Sequence, residues 1–132
     1  MLLRLIIPIL FFYSFSLFSL SDKTKDNIPE VIITAIKTGN AKELAKYFNQ
    51  NVELVILNQE DVYSKAQAEL IIKDFFAKNT PSDFSVLHQG GKEGARFAVG
   101  EIKTNNGNYR IFFLLKIINE QPYIHQFRVE KQ

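Results

Sequence analysis

From Phe84 to the C-terminus, apolar and polar residues alternate with a period of two, and this pattern constrains the fold more than any other feature. The alternation is interrupted by GGKEG, NNGN and NEQP, which are compositions typical of tight turns. Strands joined by such short turns are expected to pair with their neighbours in sequence. The C-terminal half therefore predicts a four-stranded antiparallel meander, with strands at about 84–89, 95–103, 109–118 and 123–130.

Two short helices are predicted near the start of the domain. Apolar residues recur at helical intervals over residues 28–36, and Gly39 suits the left-handed position that follows a helix. A second helix begins after Asn40, which can form a capping box with Glu43. Together the two helices present one apolar surface to the rest of the chain.

A long helix is predicted between a strand hairpin and the meander. Residues 52–57 (VELVIL) are rich in β-branched side chains and predict a strand, and a very short strand follows at residues 62–63. Ser64 with Gln67 forms a second capping box, which opens a helix that ends before Pro81. The element order is ααββαββββ, which indicates an α+β fold.

The first 21 residues have the composition of a secretory signal peptide. One basic residue, Arg4, precedes the apolar run 5–18, and small residues follow up to Ser21. A retained membrane anchor is the alternative, but the run is shorter than the roughly 20 residues that span a bilayer, and it contains Pro8. We therefore expect cleavage after Ser21, export to the periplasm or the medium, and no membrane anchor in the mature chain. The predicted organisation is a signal peptide at 1–21, a linker at 22–27 and one domain at 28–132.

Charge and cysteine content exclude several classes of protein. The chain has no cysteine, so it is neither a bacterial lipoprotein nor a disulfide scaffold. Its net charge of +2 falls to +1 when Arg4 leaves with the leader, which predicts no nucleic-acid partner. A nucleotide-binding P-loop ending at Gly91 and Lys92 would need glycine at residue 86, where valine stands. We predict no cofactor and no metal.

Three segments resemble a bacterial family: GNAKELAKYFNQNVEL, VYSKAQAELIIKDFFAKN, and GNYRIFFLLK together with YIHQFRVEK. They are similar to the secreted family called domain of unknown function 4783, within the nuclear transport factor 2-like, or cystatin-like, superfamily. The resemblance covers nearly all of the chain after the leader. It implies helices packed on a strongly curved antiparallel sheet, which wraps the long helix into a cone with a pocket. It implies no established activity.

Relatives that share the cone include ketosteroid isomerases, dehydratases and polyketide cyclases, which perform acid–base chemistry inside the pocket. The segment in which an isomerase would place its aspartate base is YFNQNVELVIL in this chain, and it carries Asn49, Asn51 and Glu53. This departure argues against isomerase chemistry, and the fold alone does not imply it.

Both histidines are candidates for a pocket. Strand alternation places His88 on the same side as Phe84 and Val86, and His125 on the same side as Tyr123, Phe127 and Val129. If that side lines the cone, each imidazole points inward and could act as acid, base or hydrogen-bond donor. Their strands are expected about three positions apart, roughly 14 Å, which is too far to share a metal. The alternative is that each histidine is a structural residue of the core or its rim.

Aromatic side chains are candidates for the lining of the same pocket. Tyr47 and Tyr123 stand out because a buried hydroxyl needs a hydrogen-bond partner. Phe76 lies on the buried side of the long helix. The alternative is that the aromatic residues fill the core. The predicted ligand-binding residues are therefore His88, His125, Tyr47, Tyr123 and Phe76, and no catalytic residue is assigned.

The strand YRIFFLLKII is apolar on both faces. An antiparallel sheet with one face in water should carry polar residues on that face, so a second cover is needed. A homodimer formed through the sheet supplies this cover. The sequence thus predicts a non-catalytic domain that binds a small apolar ligand or a partner. The alternatives are a lyase or isomerase that uses a pocket histidine with a tyrosine, and a dimeric interaction module with a filled core.

Overall fold

Three helices pack on one face of a six-stranded sheet in the computed structural model, which describes residues 28–132. The helices are α1 (Glu30–Thr38), α2 (Ala41–Ala45) and α3 (Lys65–Lys78). The strands are β1 (Phe48–Ile56), β2 (Gln59–Ser64), β3 (Pro81–Lys92), β4 (Ala95–Thr104), β5 (Gly107–Ile118) and β6 (Gln121–Lys131). The predicted order ααββαββββ is confirmed. The predicted signal peptide and linker lie outside the described residues.

The strands lie in the order β2-β1-β6-β5-β4-β3. The predicted meander is confirmed, because β3, β4, β5 and β6 pair in sequence as antiparallel neighbours. The pairing of β1 with β6 is parallel, so the sheet is not antiparallel throughout. The reason is topological: α3 carries the chain from β2 at one edge to β3 at the other, and the returning meander brings β6 alongside β1 in the same direction.

The capping signals read from the sequence mark the helix boundaries. The Asn40 side chain accepts a hydrogen bond from the backbone N–H of Glu43 at 3.1 Å, at the start of α2. Ser64 and Gln67 form the complete capping box at the start of α3. Gly39 follows α1 with a φ of +66°, in the left-handed region. These three boundaries are confirmed.

The strands of the meander are longer than predicted, and the turns between them are correspondingly tighter. Gly90 and Gly91 belong to β3, and the β3–β4 turn consists of Glu93 and Gly94 alone. Gly91 has a φ of +124°, and a Cβ at this position would overlap the carbonyl oxygen of Ala95. The glycines therefore allow a tight hairpin turn. This agrees with the sequence, in which they do not match a P-loop.

The space between the helices and the sheet is filled by apolar side chains. The ring of Phe127 lies 6.4 Å from that of Phe48 and 6.2 Å from that of Phe113, measured between centroids. On α3, the ring of Phe75 meets Tyr109 edge-on at 5.3 Å. These rings are almost wholly buried, and they occupy the interior of the cone.

Candidate functional site: the outer face of the sheet

The outer face is the side of the sheet that points away from the helices. On β5, Ile111, Phe113 and Leu115 point inward and are fully buried. Phe112 and Leu114 lie between them, point outward and are half-buried. The predicted apolar character of both faces of β5 is therefore confirmed, and the helices cover only one of them.

A compact apolar patch lies at the centre of the outer face. Val99 of β4 is in register with Phe112 of β5, and Phe97 is in register with Leu114. The rings of Phe97 and Phe112 stack at 6.2 Å. We call these four half-buried residues the apolar square. Phe97 and Val99 were missed in the sequence, although ARFAVGEI on β4 shows the same two-sided apolar pattern as β5.

A charged row borders the apolar square. Glu101, Arg110 and Glu130 lie side by side in register on β4, β5 and β6. Glu130 forms a salt bridge with Arg128 at 3.2 Å, whereas Arg110 forms none within residues 28–132. The Arg110 side chain is exposed between two acidic neighbours. It is therefore available to a partner.

A shallow concavity of about 360 Å³ lies between the apolar square and this charged border. Val99 and Phe112 supply its apolar surface, and Gln126 supplies an amide. Its remaining lining is charged, from Arg110, Arg128 and Glu130. The outer face thus combines apolar area with charges of both signs.

His88 lies on the outer face, and the prediction that its imidazole points inward is wrong. Val86 pairs with Gly100, and His88 pairs with Val99, so Leu87 is an extra residue in the ladder. The extra residue shifts the alternation by one position. Each residue of β3 after this β-bulge therefore points to the face opposite to the one that regular alternation predicts. The His88 ring is exposed and lies 5.6 Å from that of Phe97. His88 therefore extends the apolar square at its edge.

His125 also lies at an irregularity of the sheet. Phe48 pairs with Ile124 and Glu53 pairs with Gln126, so residues 49–52 of β1 lie opposite His125 alone. Its Nε2 is buried and has no hydrogen-bond partner within residues 28–132. Burial lowers the pKa of His125, and the positive charge of Lys116 lowers it further. Protonation of the His125 imidazole thus requires a lower pH than protonation of a histidine in water.

The remaining predicted ligand-binding residues occupy different environments. Tyr47 and Tyr123 are half-buried and lie close together, because the backbone N–H of Ile124 donates to the Tyr47 carbonyl at 2.6 Å. Phe76 is 6% exposed and packs against Phe75 in the core. The backbones of Tyr47, Tyr123 and His125 therefore lie together where β1 and β6 begin to pair. Tyr123 is in register with the exposed Lys116 and Phe127 with the buried Phe113, so the prediction that Tyr123 and Phe127 share one side is wrong; the bulge at His125 shifts the alternation between them. His88 lies three strand positions from His125, as predicted.

Four surface concavities formed by the described residues are lined by none of these five side chains. Within residues 28–132, no three histidine, cysteine or acidic side chains are grouped so that they could hold a metal ion. Ligand binding by the five residues stays a prediction.

Comparison with known proteins places the chain in a family. The family model described as Domain of unknown function (DUF4783) matches residues 29–130. The chain belongs to the DUF4783 family. The predicted family is therefore confirmed. The solved structure of a DUF4783 family protein from Bacteroides ovatus is 39% identical, with a TM-score of 0.77, and the match covers 80% of this chain and 96% of that chain.

More distant structures support the fold of this DUF4783 protein. A designed protein of nuclear transport factor 2 type is 13% identical, with a TM-score of 0.66 and coverage of 81% of this chain and 96% of that chain. A Nostoc punctiforme protein with a cystatin-like fold is 9% identical, with a TM-score of 0.63 and coverage of 78% and 72%. The predicted nuclear transport factor 2-like, cystatin-like fold is confirmed.

Two further findings concern this DUF4783 protein. No curated protein matches the chain. Among residues 28–132, no helix combines the length and the apolar composition needed to cross a membrane.

Proposed function

We propose that this protein is a non-enzymatic interaction module that acts outside the cytoplasm and forms a homodimer through the outer face of its sheet. The observation that supports this proposal best is the apolar square, which lies half-exposed at the centre of the sheet in a single chain. Apolar surface grouped in this way is typical of protein–protein contacts when charged residues border it.

The interior of the cone favours an interaction module over a pocket enzyme. The buried rings of Phe48, Phe113 and Phe127 occupy the interior, where an enzyme of this fold would need space for a substrate. His88, one of the two candidate acid–base groups, lies on the opposite side of the sheet from that interior. A reaction inside the cone would therefore lack both room and this residue.

A second copy of the chain fits the outer face because the face offers charges of both signs. Glu101 and Glu130 flank Arg110, so one molecule presents both partners of an ion pair next to its apolar square. A self-complementary surface of this kind is what an isologous dimer requires. A small apolar ligand in the concavity of about 360 Å³ is the second candidate, since that volume lies within the range of ligand pockets.

The oligomeric state of the exported chain tests the homodimer. Light scattering at micromolar concentration is expected to give twice the mass of one chain. Val99→Lys places a charge within the apolar square and is expected to give monomers with unchanged secondary structure by circular dichroism. Val62→Lys is the matched control, because Val62 is 61% exposed on β2, at the far edge of the sheet, and this variant should remain dimeric.

A monomeric wild-type chain would contradict the homodimer. In that case, a panel of small apolar ligands distinguishes the second candidate, since a thermal shift that Val99→Lys abolishes would place ligand binding on the outer face. Equal masses for the wild type and Val99→Lys would exclude the apolar square as the interface.

Export is tested by the site of cleavage. The full chain, expressed in a bacterium with a C-terminal tag, is expected in the periplasm or the medium with Asp22 as its first residue, because residues 1–21 have the composition of a signal peptide. A chain without residues 1–21 is the control and should stay in the cytoplasm. An intact N-terminus in the membrane fraction would support the retained anchor instead.

A further inference from the structure

We propose that the two-fold axis of the dimer runs along the strands, between β4 and β5, so that Glu101 of each copy meets Arg110 of the other. This proposal rests on the proposed dimer and specifies its geometry. It follows from the order of charged and apolar residues along each strand of the outer face. This order differs between strands, so only some orientations of two copies place opposite charges, and apolar groups, against each other.

Symmetry limits how two identical sheets can meet. When two copies pack face to face, their two-fold axis lies in the plane of the interface, because the rotation must carry one copy to the other side of that plane. An axis between β4 and β5 places β4 of one copy over β5 of the other. Each β4 residue then faces, on the other copy, the residue with which it is in register in its own chain.

The register of β4 with β5 makes all three central rows favourable under this symmetry. Val99 meets the partner's Phe112, and Phe97 meets the partner's Leu114, so apolar groups face apolar groups. The next row pairs Glu101 with the partner's Arg110, and symmetry repeats that ion pair. The central rows place no like charges opposite each other.

Two other axes bring like charges together. An axis along β5 itself would place Arg110 against the partner's Arg110, and Glu101 against the partner's Glu130. An axis across the strands, through the centre of the apolar square, would exchange the two ends of β5 and place Arg110 against the partner's Lys116. Like charges at such contacts oppose association, so the axis between β4 and β5 is favoured over both. An axis between β5 and β6 would place the apolar Phe112 and Leu114 against the partner's Arg128 and Gln126, so it would leave the apolar groups without apolar partners.

The charged groups are free to make the intermolecular pair. Arg110 forms no salt bridge within residues 28–132, and Glu101 accepts only a long hydrogen bond, 3.5 Å from Asn108 Nδ2. Packed sheets lie about 10 Å apart and cross at about 30°, a separation that an arginine and a glutamate side chain together can span.

A mixing experiment with two charge-reversed chains tests the axis. Glu101→Arg alone and Arg110→Glu alone each replace two attractive contacts by two repulsive ones, and each is expected to raise the dimer Kd about tenfold. An equimolar mixture restores both ion pairs in the heterodimer, whose Kd should return to within about threefold of the wild-type value. Fluorescence transfer between labelled chains measures the three constants, and thermal unfolding verifies that each variant folds.

Cross-linking tests whether the charged rows of the two copies lie against each other, and the charge reversals separate the proposed axis from the others. Since the chain has no cysteine, Glu101→Cys and Arg110→Cys each introduce a single thiol. A short bis-maleimide should join the two variants to each other when they are mixed. The single charge reversals distinguish the axes, because Glu101→Arg would face the partner's Glu130 under the axis along β5, and Arg110→Glu would face the partner's Lys116 under the axis across the strands. Tighter dimers of Glu101→Arg would therefore indicate the axis along β5, and tighter dimers of Arg110→Glu would indicate the axis across the strands.

The outcomes distinguish this inference from the proposed function. A wild-type dimer whose affinity is not restored by mixing would overturn the axis and leave the dimer in place. A monomeric wild-type chain would overturn both.

Discussion

At the scale of single residues, a buried hydrogen bond joins the end of α3 to the sheet. The hydroxyl of Tyr109 donates to Asn79 Oδ1 at 2.9 Å, and Asn79 Nδ2 donates to the carbonyl of Phe75 at 3.0 Å. Asn79 is 8% exposed and follows the last residue of α3. The Phe75 carbonyl thus accepts from both the backbone N–H and the side chain of Asn79, and Tyr109 fixes the orientation of that side chain.

Removal of the Tyr109 hydroxyl should destabilise the protein. Tyr109→Phe leaves the buried Asn79 carbonyl oxygen without a donor, and we expect a loss of about 1–3 kcal/mol in the free energy of unfolding, measured by urea titration. Tyr63→Phe is the control, because the Tyr63 hydroxyl makes no hydrogen bond to a described residue; its effect should be below about 0.5 kcal/mol. Equal losses in both variants would contradict a structural role for the Tyr109–Asn79 bond.

His125 should make stability depend on pH. Its folded pKa lies below the ordinary value because of burial and of Lys116, so the unfolded chain binds more protons between the two pKa values. The free energy of unfolding should therefore fall as the pH falls below about 6.5 toward the folded pKa. His125→Gln should reduce this dependence, whereas His88→Gln, which keeps His125, should retain it.

Denaturation curves between pH 5 and pH 8 measure the effect, at about half-unit intervals. Lys116→Gln offers an independent check, because removal of the positive charge should weaken the dependence without removal of the imidazole. Identical pH profiles for the wild type and His125→Gln would contradict the assignment.

Single residues also mark the limit of what the sequence could predict about the site. Alternation does not give the side of either histidine, because Leu87 is an extra residue in β3 and His125 is the extra residue of β6 opposite β5. Nothing in SVLHQGG distinguishes a regular strand from a bulged one, because a bulge is fixed by the pairing of two strands. The β5 half of the apolar square, Phe112 and Leu114, could be predicted, since both faces of β5 are apolar in the sequence itself, whereas Phe97 and Val99 on β4 were missed.

At the scale of elements, β3 departs from a regular ladder at more than one position. It carries the Leu87 bulge in its middle and the positive φ of Gly91 near its end. Its first half is in contact with α1, where Lys37 and Asp83 form a salt bridge at 3.6 Å. The first half of β3 is therefore covered by α1, and the second half forms an exposed arm of the hairpin with β4.

Gly91 should tolerate substitution worse than Gly94. Gly91→Ala combines a φ of +124° with a clash against the Ala95 carbonyl, and we expect a loss of at least about 2 kcal/mol in the free energy of unfolding. Gly94→Ala has a φ of +85° and no heavy atom within 4 Å of the new Cβ, so its cost should be about 1 kcal/mol. Thermal and urea unfolding of the two variants measure the difference, and equal costs would contradict the role of the Ala95 contact.

Element boundaries could be predicted wherever a local interaction fixes them. The caps at Asn40, Ser64 and Gly39 involve residues within a few positions of each other, and all three were read correctly. The sequence predicts a start of β1 at residue 52, whereas β1 starts at Phe48, because Phe48 pairs with Ile124 of β6, which is distant in sequence. Strand pairing between remote segments is the part of the fold that local patterns do not contain.

At the scale of the whole molecule, a cavity-forming variant should distinguish a cone that is filled by side chains from a cone with space for a ligand. Phe127 lies between the rings of Phe48 and Phe113. Phe127→Ala should open a cavity there and reduce the free energy of unfolding by about 3–5 kcal/mol. Benzene should then raise the Tm of the variant and leave the wild-type Tm unchanged, because an apolar cavity binds a ring of that size.

Two further variants complete this test. Phe97→Ala removes a ring from the outer face and should gain no benzene binding. If Phe127→Ala fails to fold, Phe127→Leu leaves a smaller cavity in the same place. A rise in the wild-type Tm that Phe97→Ala retains would contradict a filled interior and favour the ligand-binding interpretation of the cone.

The two strands at the ends of the sheet also determine how the protein behaves at high concentration. An unpaired edge strand is a template on which further chains can add, and unlimited addition produces fibrils. β3 interrupts its row of backbone groups with the Leu87 bulge, and β2 has six residues, including Glu60 and Asp61. Neither edge offers a long, straight and uncharged template, so the protein is protected from aggregation through strand addition while the face of its sheet stays open to contact.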